Sequence, residues 1–171
     1  MNRKTTIYPF FLLVLFLILW SACQNTGDPA EDQGEKINVE ALIPGTWEAV
    51  SMYVEVNSVN GEVDSNYVFR INDGDWTSLY NVLPPRTFFE KDHRYRVEFR
   101  DQRDSIMDMS QGIWNVVGDT LMMIERNITF QYRVSEEKGL MFFRGFRDWD
   151  EDGAEDDNYI EVKRRVSIGT E

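Results

Sequence analysis

One cysteine and one histidine are all that 171 residues hold of the side chains that build disulfides, zinc sites and many hydrolytic centres. Cys23 alone cannot form a disulfide within the chain. Zinc centres draw heavily on cysteine and histidine, and a nucleophilic triad needs a base beside its nucleophile. His93 sits in the polar turn Lys91-Asp92-His93-Arg94 with no serine marked out near it, so it reads as a solvated turn residue. Positive charge is also scarce: 18 Lys and Arg face 30 Asp and Glu, a formal net charge of −12. Such a surface repels phosphate backbones, so nucleic acid is not an expected partner. The apolar run Ile7–Trp20 (IYPFFLLVLFLILW) is shorter than the ~20 residues a spanning helix needs. Finally, no stretch after residue 40 carries a helical stripe. Together these absences point away from an enzyme and towards a binding or structural role.

What the chain does have is a period of two. In Arg94–Arg100 (RYRVEFR), Tyr95, Val97 and Phe99 point one way and four charges the other, as in a strand with one core face and one wet face. Ile128–Val134 (ITFQYRV) sets Ile128, Phe130, Tyr132 and Val134 on one side. Ile160–Val166 (IEVKRRV) sets Ile160, Val162, Arg164 and Val166 against Glu161, Lys163 and Arg165. Thr46–Val59 is apolar in both registers and runs into Asn60-Gly61, a strong hairpin signal. Further segments lie between Asn72-Asp73-Gly74-Asp75, Gly118-Asp119 and Glu136–Gly139, with Ser105–Met109 and Gly112–Val117 as separate strands. The expected fold is all-β: an antiparallel meander of eight to ten strands. Short turns favour sequential hairpins, and closing them into a barrel hides the apolar face and the edges. A two-sheet sandwich is the alternative.

The front of the chain has its own order: Arg3 and Lys4, the apolar run, the small pair Ser21-Ala22, then Cys23. A basic start, an apolar core and small residues before a cut describe a secretory signal. The stretch LWSAC resembles a lipoprotein signal, which implies that residues 1–22 are removed and that Cys23 carries acyl chains such as palmitate. Several such chains hold a protein on a bilayer. Gln24, where the usual sorting pattern for inner-membrane retention has Asp, implies export to the outer membrane. Residues 23–38 are rich in Gly, Pro, Asp and Glu and read as a disordered tether. The folded domain is then 39–171, a comfortable size for a single core.

Gly45-Thr46-Trp47 opens the first long strand just after Pro44. Here the chain resembles lipocalin-like proteins, and among them the small lipid-anchored ones; Gly112–Met123 (GIWNVVGDTLMM) is similar to a central hairpin of that group. The resemblance implies that Trp47 plugs one end of a barrel, that Gly45 allows close backbone approach, and that an arginine of the last strand packs over the indole. Arg164 or Arg165 fills that role depending on register, and the parity with Ile160 and Val162 selects Arg164. It also implies a small apolar or amphipathic ligand inside the barrel, or else an envelope protein as partner. The aromatics and methionines suit a greasy pocket and a filled core equally well.

Asp148–Asn158 (DWDEDGAEDDN) packs seven carboxylates into eleven residues. Asp148, Asp150 and Asp152 followed by Gly153 have the oxygen spacing of a calcium loop. Tyr159 stands where an EF-hand needs glutamate, and the flanks read as strands, so the candidate is a calcium-binding hairpin loop. Its ligands would be Asp148, Asp150, Asp152 and Asp156, with the Ala154 carbonyl. The other reading is a repelling, soluble connection that discourages edge pairing.

Overall fold

The structure, a computed structural model, describes residues 37–59, 62 and 65–167. The signal, Cys23, the tether up to residue 36 and the Asn60-Gly61 turn lie outside the described residues. The first described element is a one-turn helix, α1 (Val39–Leu42), capped by Asn38, whose side-chain oxygen accepts the Ala41 N–H at 3.1 Å. Nine strands follow: β1 (Gly45–Val56), β2 (Tyr67–Ile71), β3 (Val82–Phe89), β4 (Arg94–Asp101), β5 (Ile106–Val117), β6 (Thr120–Ile124), β7 (Thr129–Glu137), β8 (Leu140–Arg147) and β9 (Asp157–Ser167). A second one-turn helix, α2 (Asp75–Ser78), lies between β2 and β3.

All pairings are antiparallel. β1 and β3 to β9 form a ring in chain order, and β9 pairs back onto β1 to close an eight-stranded barrel. The expected barrel is therefore present and the sandwich is not. β2 stays outside the ring. Gly45–Glu48 of β1 pair with β3, whereas Met52–Val56 pair with β2, so β3 leaves β1 half-way along and β2 takes its place. Closure is helped by tight turns: Lys138 and Gly139 both have positive φ, 54° and 80°, as the two-residue hairpin between β7 and β8 demands. At Gly112 a Cβ would run into the Ile124 carbonyl, so neighbouring backbone approaches more closely there than any other residue permits.

Inward positions alternate along each strand, with one break. In β1 the inward set is Trp47 and Ala49, then Val54 and Val56; a bulge between Ala49 and Ser51 shifts the phase. The core at the plugged end contains Val39, Ile43, Trp47, Phe89 and Trp114, with Leu121, Met141 and Phe143 further along.

Three sequence expectations change. Ser105–Met109 and Gly112–Val117 are parts of one strand, β5. Asn72–Asp75 leads into a helical turn that buries Trp76. In β9 the inward face is Tyr159, Glu161, Lys163 and Arg165, the opposite of the apolar parity: Tyr159 and Lys163 are 5% exposed while Val166 is 48% exposed.

Candidate ligand site inside the barrel

The plugged end assembles from local contacts. Trp47 donates its indole N–H to the Ile43 carbonyl at 2.8 Å, tying β1 to the end of α1. Arg165 lies over the indole, its guanidinium carbon 4.5 Å from the ring centroid, and donates to the carbonyls of Pro44 (3.2 Å) and Leu42. Arg164, expected over Trp47, is on the outer face instead, bonded to Glu48 at 2.7 Å. The cause is register: Trp47 pairs with Arg165 and Glu48 with Arg164. Glu48 also accepts from Arg86 at 2.9 Å, so one carboxylate joins three adjacent strands. Burial alone would raise the Glu48 pKa, but hydrogen bonds from Arg164 and Arg86 outweigh it and hold the carboxyl below its usual range. Gly45, the third plug residue, sits at the start of β1 opposite Phe89, with extended-to-positive φ of 139°.

Beyond the plug the barrel is hollow. A cavity of about 400 Å³ reaches from Thr87 and Phe143 towards Met52, Val97 and Phe99. Trp76 of α2 covers it from the place where β3 parts from β1, with its indole N–H directed to the Val50 carbonyl at 3.3 Å. Trp149, from the acidic loop, also lines it and packs on Phe69 with 5.4 Å between centroids. That position settles Trp149 as part of the barrel rim. Its backbone N–H is held at 2.8 Å by Asp157, a fully buried carboxylate whose other oxygen accepts the Asn57 N–H.

The cavity wall is apolar with a polar seam. Lys163 donates to Glu161 at 2.8 Å and to Thr87 at 3.0 Å. Tyr159 donates to the other oxygen of Glu161 at 2.9 Å, and Tyr95 donates to Glu125 at 2.9 Å. Arg147 is wrapped in rings: its guanidinium carbon is 4.0 Å from the Phe130 centroid, 4.8 Å from Tyr159 and 5.6 Å from Tyr132. It donates to the Tyr132 hydroxyl, and its buried Nε has no hydrogen-bond partner. Burial works to lower the Arg147 pKa, but Tyr132, Tyr159 and Glu161 outweigh it, so the cation is secure. Burial also pushes the Tyr132 phenol up to about 12 against the opposing charge of Arg147. Tyr95 and Tyr159 shift the same way, each through burial and a carboxylate neighbour.

Beside Arg147 the regular β7–β8 pairing ends, although the strands stay close: a Cβ on Gly145 would meet the Gln131 carbonyl. Thr129–Tyr132 of β7 pair with β6, and Gly145–Arg147 of β8 pair with β9, but the β7–β8 ladder stops at Arg133 opposite Arg144. Outside this stretch lies a broad groove of about 1020 Å³ beneath the acidic loop, and Phe130 and Arg147 line both the groove and the cavity.

The acidic loop brings together three of its four candidate ligands. Carboxylate oxygens of Asp148, Asp150 and Asp152 lie within 4.8 Å of one another. Asp156 stands apart, its carbonyl taking the Asn57 side-chain amide. Gly153, Asp152 and Ala154 donate backbone N–H groups to Asp148, Asp150 and Asp152 respectively, so local turns of the Asx kind give the loop its shape. His93 is not the solvated residue its polar turn suggests: it is half-buried, stacked on Trp114 at 4.4 Å, and does not line the cavity.

No protein-family model, curated protein or solved structure matches this chain.

The residues that sequence reasoning missed are the polar ones inside: Arg147, Lys163, Glu161, Glu125. A usable signal existed in β9, where charges sit at every second position between aromatic and plug residues, but the apolar parity on the other face masked it.

Proposed function

We propose that the chain is a lipid-anchored envelope protein whose barrel binds a small amphipathic molecule and does no chemistry on it. The observation that carries this reading is the cavity of about 400 Å³, lined by Met52, Val97, Phe99 and Phe130 together with Arg147 and Lys163. Ligand sites are concave, largely apolar and furnished with a few placed polar groups, in the range of ~300–1,000 Å³. The anchor rests on the sequence alone, through Ser21-Ala22-Cys23 and Gln24. An alternative role, as an interaction module at the outer membrane, draws support from the exposed outer stripe of β5: Met107, Met109, Ile113 and Val117 are 46–62% exposed.

Mass spectrometry of the purified full chain tests both halves. An organic extract should yield a small amphipathic molecule that is depleted when Val97→Trp fills the cavity, and the mature N-terminus should be acylated Cys23. An empty extract that stays empty after incubation with cell lipid extract sinks the cavity reading in favour of the interaction role. An unmodified thiol at Cys23 sinks the anchor.

A further inference from the structure

Resting on the reading that the cavity takes a ligand, we propose that this ligand is an amphipathic carboxylate. Its acid end is held by Arg147 and Tyr132 where the β7–β8 ladder ends, and its apolar body lies inward along Val97, Phe99 and Met52.

The polar groups of the cavity divide into satisfied and unsatisfied. Lys163 is matched by Glu161 and Thr87, Glu161 also takes the Tyr159 hydroxyl, and Glu125 takes the Tyr95 hydroxyl. Arg147 differs. The aromatic rings of Phe130 and Tyr159 cover its faces, and no carboxylate among the described residues forms an ion pair with it. Its in-plane N–H edge has only Tyr132, and Nε points to nothing. A guanidinium binds anions through that edge, in pairs of parallel hydrogen bonds matched to a carboxylate. Tyr132 spends only a lone pair on Arg147, and its phenolic proton remains to be donated. Two donors therefore converge with no acceptor.

The sign of the ligand's charge follows. An amine would need the aromatic faces that Arg147 already occupies, and would meet a fixed cation there. A neutral polar head would supply a weaker acceptor to the unpaired Arg147 N–H edge than a charged one does. A doubly charged phosphate would bring a second negative charge into a cavity that also holds Glu125 and Glu161. One negative charge on a planar group suits the place. The position suits it too, since Arg147 and Phe130 line the groove outside as well as the cavity. The acid is thus within reach of water at the broken ladder while the tail is sheltered.

Calorimetric titration of the full chain at neutral pH with decanoate and with decanol separates head from tail. A charge-assisted hydrogen-bonded pair predicts that decanoate binds about tenfold or more tightly than decanol. Arg147→Gln should abolish that preference by weakening decanoate far more than decanol, and Arg147→Lys should recover part of it. Equal binding of acid and alcohol by the native chain overturns the head-group assignment and leaves the cavity reading standing; binding of neither overturns both. A preference that survives Arg147→Gln also overturns the assignment. Should that variant not fold, Tyr132→Phe, which removes only a hydroxyl, must still weaken the acid relative to the alcohol, and an unchanged ratio counts against the proposal.

Discussion

At the scale of single residues, adjacent arginines on β9 have opposite fates. Arg165 stacks on Trp47 and ties down two carbonyls at the end of α1; Arg164 shares an outer-face carboxylate that keeps Arg86 in any case. Arg165→Ala should cost roughly 2–3 kcal/mol, from a cation–π contact and lost hydrogen bonds, whereas Arg164→Ala should cost less than about 1 kcal/mol, as exposed ion pairs do. Urea midpoints for the two variants check the order, and equal losses would contradict the assignment of the plug. The inversion of β9 also shows where reading from sequence fails. RYRVEFR is legible over Tyr95 and Val97, where hydrophobic means inside, but a register shift between Phe99 and Arg100 ends the alternation and leaves Phe99 38% exposed and Arg100 only 5% exposed. In IEVKRRV the inside of the barrel is the polar side: Lys163 is buried because Glu161 and Thr87 satisfy it, not because it is apolar. A pattern that scores apolarity cannot see a buried ion pair, even one whose two members stand two residues apart on the same strand.

Among elements, the connections rather than the strands define the site. The meander of strands and its closure were legible from alternation and short turns. Helix α2 was not, because a single turn carries too few residues for a 3.6-residue period to register. Its Trp76 nonetheless covers the cavity, held by the Val50 carbonyl that the β1 bulge leaves available. The acidic loop was legible in composition and obscure in purpose: its anchor is Asp157, the first residue of β9, not one of the aspartates spaced like calcium ligands. Asp157→Ala removes acceptors for two backbone N–H groups, those of Asn57 and Trp149. The expected cost is roughly 2–4 kcal/mol for donors left unpaired, with Trp149 released to solvent. A red-shifted tryptophan emission that disappears on adding Trp149→Phe checks this; emission unchanged by Asp157→Ala argues against the staple.

For the whole molecule, the titrating groups bound a stable pH range from both sides. Glu48 has a lowered pKa in the fold, so its stabilisation is present above the unfolded value of 4.5 and is lost as pH falls through the folded value. Tyr132 has a raised pKa, so its contribution is intact below 10.0 and drains away between there and about 12, and Tyr95 and Tyr159 act in the same sense. Melting temperature against pH should therefore show a plateau falling on the acid side below about pH 4.5 and on the alkaline side above about pH 10. Tyr132→Phe should flatten the alkaline slope and leave the acid limb alone; a limb unmoved by that change would remove Tyr132 from the account. Among the described residues β2 pairs with β1 alone. Its outer edge is a seam at which a foreign extended segment can zip onto the molecule. Its five residues cap the union at a few rungs, so any head-to-head joining of two copies through this edge stays weak, reversible and dependent on concentration.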